Sequence, residues 1–92
     1  MRFQTVKETV QNVRVLMVDD NADGLVARKA VLEEIGYEVT SCTTGAMALE
    51  ELDRVRFDLV IADFRMPDMD GVELIRAVRQ RQGAVPVIMI SR

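Results

Sequence analysis

The 92-residue sequence contains no histidine and only one cysteine, Cys42. The absence of histidine excludes catalysis by an imidazole base and zinc sites built on histidine ligands. A single cysteine cannot form an internal disulfide, which favours a cytoplasmic setting. No apolar stretch approaches the roughly 20 residues that a membrane-spanning helix needs, and the N-terminus lacks the basic-then-apolar pattern of a secretory signal. We therefore expect a cytoplasmic protein with no membrane partner.

The sequence also lacks a strong excess of charge of either sign. It has 12 basic and 15 acidic residues, which gives a formal net charge of −3. This balance provides no bulk electrostatic basis for binding nucleic acid, and we expect no direct nucleic-acid binding by this domain. Hydrophobic residues make up 49 % of the chain, enough for a core. The length allows one small domain.

Apolar runs alternate along the chain with segments of helical periodicity. Four segments have the composition of β-strands: 13–18, 37–42, 57–62 and 85–90. Three segments between them have helical spacing: 22–35, 45–53 and 71–82. The order β-α-β-α-β-α-β predicts an α/β fold with right-handed crossovers and a parallel sheet. Residues 1–12 show no such pattern, and we expect an N-terminal arm or linker there, followed by a domain over 13–92.

Sequence signals mark the helix starts and the helix faces that should meet the core. Thr44 is expected to cap the second helix, and Asp70 with Glu73 has the spacing of a capping box at the start of the third. Apolar spacing predicts the inner faces of the three helices: Leu25, Val31, Leu32 and Ile35 in the first, Met47, Ala48 and Leu52 in the second, Val72, Ile75 and Val78 in the third.

Two groups of carboxylates follow two predicted buried strands. Asp19 and Asp20 follow the run 13–18, and Asp63 follows the run 57–62. Open α/β sheets bind ligands just beyond the carboxyl ends of their strands, so neighbouring strands would bring these acids together. Crowded acids repel one another, so their presence together favours a bound cation or an aspartate that acts as a nucleophile toward phosphorus. The cation would be Mg²⁺, because Mg²⁺ prefers oxygen ligands. The alternative is that the acids only cap the helices that follow.

Three motifs in this order resemble the receiver domain of two-component response regulators, of the chemotaxis-regulator type. They are 18–21 (VDDN), 63–71 (DFRMPDMDG) and 86–91 (PVIMIS). Each lies at the end of a predicted strand, and the resemblance runs from about residue 13 to the end of the chain. It implies a flavodoxin-like doubly wound parallel sheet, here with strand order 2-1-3-4.

The resemblance also implies a role for each residue of the site. Asp63 is expected to accept a phosphoryl group, Asp20 to ligate Mg²⁺ directly, and Asp19 to act partly through metal-bound water. The backbone carbonyl of Arg65 is expected to complete the protein ligands, and Ser91 to be the switch residue that hydrogen-bonds the phosphoryl oxygen. The implied function is signalling in a Mg²⁺-dependent phosphorelay, with a sensor histidine kinase or phosphotransfer protein as donor. Self-catalysed phosphoryl transfer at most is expected, not enzyme activity.

The sequence departs from the family pattern after the fourth strand. The family's lysine at the end of a fifth strand has no match, because the only lysines are Lys7 and Lys29. We expect a partial receiver domain over 13–92 without the fifth strand and the last two helices, whose exposed fourth strand invites a homodimer. A phosphorylation-incompetent truncated receiver acting as an interaction or dimerisation module therefore stays an alternative. A Mg²⁺ phosphohydrolase is disfavoured, because Arg65 stands where the common aspartate-based phosphatases have an acid.

Overall fold

The structure, a computed structural model, describes residues 13–91, so the arm or linker predicted over 1–12 lies outside the described residues. Four strands and three helices alternate along this part of the chain, as predicted. The strands are β1 Arg14–Val18, β2 Glu38–Cys42, β3 Leu59–Asp63 and β4 Val87–Ile90. The helices are α1 Ala22–Ile35, α2 Gly45–Arg54 and α3 Gly71–Arg81.

The strands form one parallel sheet with the order β2-β1-β3-β4, which confirms the predicted flavodoxin-like α/β architecture. Val15 of β1 pairs with Val39 of β2 on one side and with Leu59 of β3 on the other. On the outer side of β3, Asp63 pairs with Ile90 of β4. Because all four strands are parallel, the carboxyl ends of β1, β3 and β4 lie together at the same end of the sheet.

The sheet separates two apolar clusters, one on each face. Leu16 and Val60 belong to the cluster that α2 and α3 cover. Val15 and Met17 belong to the smaller cluster beneath α1, with Leu25 of that helix. Successive side chains of a strand point to opposite faces, and β1 is apolar at every position from Val15 to Val18 because both of its faces are covered there.

The inner faces of α2 and α3 agree with the prediction at Ala48, Leu52 and Val78, and differ from it at Met47 and Val72, with Ile75 only partly buried. In α2 the buried residues are Gly45, Ala48 and Leu52, and in α3 they are Gly71, Leu74 and Val78. Both sets have the spacing i, i+3, i+7 of one helix face. Met47 and Val72, predicted to face the core, are exposed, because each helix instead turns its first glycine toward neighbouring side chains.

Helix α1 buries only Leu25, with Leu32 partly buried, whereas Val31 and Ile35 are exposed contrary to prediction. The physical reason is placement: α1 packs on β2 and β1 and leaves the same sheet face uncovered over β3 and β4. Val31 therefore lines an open apolar groove of about 450 Å³, whose opposite wall includes Ile61 and Ile88. Among the helices within residues 13–91, none is long and apolar enough to cross a membrane.

The ends of the helices agree with most of the local signals. The Thr44 side chain caps α2, and Asp70 with Glu73 forms the complete capping box of α3, both as predicted. Asn21, which the sequence analysis did not identify as a cap, accepts the backbone N–H of the third residue of α1 at 3.2 Å. Helix α1 is capped at its C-terminus by Gly36, whose φ of 115° lies in the left-handed region that favours glycine.

All four strands begin later than predicted: β1 and β2 by one residue, and β3 and β4 by two, at Leu59 and Val87. Phe57 and Val85 are buried, which explains why the apolar runs extended to them. The Phe57 N–H donates to the side chain of Gln82 at 2.9 Å, and the Val85 N–H donates to the Gln82 carbonyl at 3.1 Å. Apolar character at these two positions therefore reports burial of the side chain, not strand pairing of the backbone.

Candidate functional site

Three carboxylates meet at the carboxyl ends of β1 and β3. Asp19 and Asp20 follow the last residue of β1, and Asp63 is itself the last residue of β3. One carboxylate oxygen from each lies within 4.8 Å of the other two. Asp19 and Asp63 are only 2 % and 5 % exposed, whereas Asp20 is exposed. The structure thus brings together the three acids that the sequence placed at strand ends, with an opening to solvent at Asp20.

Two hydrogen bonds to its carboxylate hold the buried Asp19. Its Oδ1 accepts the Asn21 N–H at 2.9 Å, and its Oδ2 accepts from Nη1 of Arg28 at 2.9 Å. This ion pair with Arg28 compensates part of the cost of burying the charge. Arg28 was not predicted as a site residue from the sequence. The available signal was its position on the inner face of α1, at the spacing i, i+3, i+7 with Leu25 and Leu32.

The other two predicted site residues, Arg65 and Ser91, lie close to Asp63 along the chain or across the sheet. The Arg65 N–H donates to Oδ1 of Asp63 at 3.1 Å, which places the Arg65 backbone beside the acid. Ser91 is exposed and directly follows Ile90, the residue that pairs with Asp63. Both residues are therefore at the same end of the sheet as the three carboxylates, the carboxyl end of its strands.

The loop between β3 and α3 is fastened to the start of α2 by Asp68. Its carboxylate accepts the Gly45 N–H at 3.0 Å and the Ala46 N–H at 2.9 Å. These backbone hydrogen bonds lower the pKa of Asp68 below its ordinary value, with the Gly45 bond as the larger cause. Met69 packs so closely on Gly45 that a Cβ there would lie 2.6 Å from the Met69 side chain. These contacts stabilise the loop that carries Arg65.

The donor set matches the coordination chemistry of Mg²⁺. Oxygens around Mg²⁺ stand at about 2.1 Å from the metal, so they lie roughly 3 to 4 Å from each other. Three carboxylate oxygens within 4.8 Å of one another need only a small contraction to reach that spacing. Mg²⁺ also retains several waters, and the exposed side of Asp20 leaves room for them. The residues present therefore fit a hydrated divalent cation.

Comparison with known proteins points to one family. The sequence profile of the response regulator receiver domain matches residues 15–92. The transcriptional regulatory protein PrrA of Mycobacterium tuberculosis is 38 % identical over 82 residues, which cover 89 % of this chain and 35 % of PrrA. A CheY-like receiver domain protein of Methanospirillum hungatei superposes with a TM-score of 0.83 at 33 % identity, over 86 % of this chain and 63 % of that one.

A third similar protein is the response regulator TrrA of Thermotoga maritima, solved in complex with Mg²⁺-BeF. It superposes with a TM-score of 0.79 at 32 % identity, over 86 % of this chain and 69 % of that one. The chain spans between about a fifth and a third of the length of the curated transcriptional regulators that it matches. On the match of the family profile and of the fold, the chain belongs to the response regulator receiver domain family.

Proposed function

We propose that this receiver domain accepts a phosphoryl group on Asp63 in a Mg²⁺-dependent phosphorelay. Receiver domains are signalling domains and generally not enzymes. The observation that carries the proposal is the position of Asp63, a buried acid at the end of a central strand whose carboxylate lies within 4.8 Å of those of Asp19 and Asp20. A carboxylate held among other carboxylates is reactive toward phosphorus only where positive charge offsets their repulsion, which is what a divalent cation supplies.

The side chains of Asp19, Asp20 and Asp63, with the backbone carbonyl of Arg65, would hold Mg²⁺. Bound there, the cation would neutralise charge on the transferring phosphoryl group. The complex of the relative TrrA with Mg²⁺-BeF supports this assignment. Asp20 is the exposed member of the set and would be a direct ligand, and the buried Asp19 would act partly through metal-bound water.

The chemical step is an in-line displacement at phosphorus. An oxygen of the Asp63 carboxylate forms the new P–O bond, and the P–N bond to the donor's phosphohistidine breaks, with its electron pair returning to the imidazole nitrogen. The Arg65 N–H, at 3.1 Å from Oδ1, orients the carboxylate for this attack. Ser91 would then donate its hydroxyl to a phosphoryl oxygen and so report phosphorylation. The donor is a sensor histidine kinase or phosphotransfer protein, in the cytoplasm, with no membrane or nucleic-acid contact by this domain.

Phosphorylation by a small donor tests this proposal directly. The protein is incubated with Mg²⁺ and acetyl phosphate, and its intact mass is measured. We expect the addition of one phosphoryl group to the wild-type chain, none to Asp63→Asn, and normal addition to the matched control Asp23→Asn, since Asp23 is an exposed acid of α1. No added mass on the wild-type chain, or full addition to Asp63→Asn, would contradict the proposal.

A second candidate function is an interaction or dimerisation module that does not depend on phosphorylation. Three features of β4 favour this function. Within residues 13–91 it is an outer strand of the sheet, and its Ile88 has 51 % of its surface exposed. It also borders the apolar groove beside α1. An apolar edge strand is a template for pairing with another chain, here a second copy. Analytical ultracentrifugation tests it: we expect a dimer that Ile88→Glu dissociates and the control Val26→Glu does not. A wild-type monomer at high concentration would overturn this candidate.

A further inference from the structure

Arg28 occupies an unusual position for a charged residue. It lies on the inner face of α1 between the apolar residues Leu25 and Leu32, and its side chain lines the apolar groove together with Met17 and Ile90. Placing a charged guanidinium against an apolar surface costs free energy unless a nearby acid neutralises its charge. That acid is Asp19, whose side chain is only 3 % exposed, against 37 % for that of Arg28.

The ion pair engages the same carboxylate that belongs to the acid cluster. Nη1 of Arg28 lies 2.9 Å from Oδ2 of Asp19, while the Asn21 N–H lies 2.9 Å from Oδ1. Asp19 is one of three acids with carboxylate oxygens within 4.8 Å of one another, so a cation bound among them would lie near the guanidinium. A cation ligated through Asp19 would meet a like charge at short range.

We propose that Arg28 is a resident cation that competes with the divalent metal for Asp19. This inference rests on the proposed function, because it assumes that the acid cluster binds Mg²⁺. In the metal-free protein the guanidinium neutralises Asp19 and limits repulsion among the three acids. A cation that takes Oδ2 would require Arg28 to release that oxygen, and the partly exposed Arg28 side chain has the open groove into which it can turn. Arg28 thereby sets the metal concentration at which the site fills; it is a positioning residue and not a ligand.

Metal affinity measured by calorimetry tests the competition in the full chain. We expect Arg28→Gln to bind Mg²⁺ about tenfold more tightly than wild type, the scale of a partly screened interaction between charges at this range. Arg28→Met, whose side chain suits the apolar groove, serves as a second variant in case the amide destabilises the fold, with the same expected gain. Lys29→Gln removes the same charge one residue along the helix, where Lys29 pairs with Glu33, and should leave the affinity unchanged.

The outcomes separate this inference from the proposed function. Equal Mg²⁺ affinity in wild type, Arg28→Gln and Arg28→Met would overturn the competition and leave the metal site standing. No Mg²⁺ binding by any of them would overturn the metal site and the competition together. A gain of equal size in Lys29→Gln would also overturn it, since a general change of net charge would then be the cause. In an Asp19→Asn background, we expect the effect of Arg28→Gln to disappear.

Discussion

Gly24 and Gly71 lie near the starts of α1 and α3, but the space around them differs. A Cβ at Gly71 would lie 2.6 Å from the ring of Phe64 and 2.7 Å from the Met89 side chain, whereas at Gly24 the nearest atom is 3.5 Å away. We expect Gly71→Ala to lower the free energy of unfolding by about 1–3 kcal/mol through overpacking. We expect Gly24→Ala to raise it by up to about 1 kcal/mol through helix propensity.

Urea denaturation of the two alanine variants beside wild type measures both effects. The pair is its own control, because the same atom is added near the same end of two helices. A stabilised Gly71→Ala would show that the packing of α3 on Phe64 and Met89 is looser than the structure indicates.

Cys42 closes β2 with its thiol in the core, where burial, and to a lesser degree Glu51 and Glu50, raises its pKa to about 11. Since only the thiolate reacts, we expect almost no labelling by a thiol reagent at pH 8 in the folded protein and rapid labelling in urea. Fast labelling of the folded chain would contradict this burial.

The raised pKa of Cys42 also means that the unfolded state loses its thiol proton first, so the free energy of unfolding falls as pH rises from about 9 toward 11.

Residues of the site differed in how far sequence could predict them. Asp19, Asp20 and Asp63 were predictable because their positions follow from strand ends, which are local features. Arg28 and Asp68 were not predicted, because each acts through a partner on another segment. The Arg28 pair with Asp19 spans nine residues, and the Asp68 bond to Gly45 spans 23. Spacing along the chain indicates which face a residue occupies but not which polar group of another segment it meets.

At the scale of elements, Asp68 links the loop of the candidate site to a helix start. Helix α2 has Thr44 as its own cap, whose hydroxyl accepts the Met47 N–H at 3.1 Å. The two preceding N–H groups, of Gly45 and Ala46, donate to the Asp68 carboxylate instead. A carboxylate at a helix N-terminus is favoured by both hydrogen bonding and the helix dipole. The loop after β3 and α2 are therefore stabilised together.

We expect Asp68→Ala to lower the free energy of unfolding by about 1 kcal/mol at pH 7, the usual worth of such a cap. Because the pKa of Asp68 is lowered in the folded state, this contribution is present above the unfolded pKa of about 4 and is lost as pH falls through the folded value. Wild type and Asp68→Ala should thus converge in stability at low pH. Asp53→Asn, at an exposed pair with Arg81, is the control and should change stability little.

Helix faces illustrate what element-level patterns can and cannot predict. The boundaries of α1 and the caps of α2 and α3 agree with the sequence signals because they depend on neighbours within one turn. The exposed Val72 and Met47 were predicted to face the core, because apolar residues occupy two adjacent faces of each helix and only packing chooses between them. Glycine at the first position of α2 and of α3 fits the observed choice, since it allows the close approach of Met69 and Phe64.

At the scale of the whole molecule, the two faces of the sheet are covered unequally within residues 13–91. Two helices pack on one face and α1 alone packs on the other. The groove left beside α1 reaches Arg28, and Arg28 reaches Asp19. Under the proposed competition, a molecule that fills the groove would contact the same Arg28 side chain that pairs with Asp19. Occupation of the groove and metal binding would then be linked through Arg28.

Metal binding should stabilise the whole fold, because the folded chain brings the three acids together and the unfolded chain does not. We expect Mg²⁺ at a hundredfold excess over its Kd to raise the free energy of unfolding by about 2.7 kcal/mol relative to chelator. Asp20→Asn should remove most of this gain, and by reducing repulsion among the acids it should leave the metal-free protein no less stable than wild type. Asp23→Asn should keep the full gain. Thermal and urea unfolding with and without Mg²⁺ measure all three proteins, and an equal gain in Asp20→Asn would place the bound cation elsewhere.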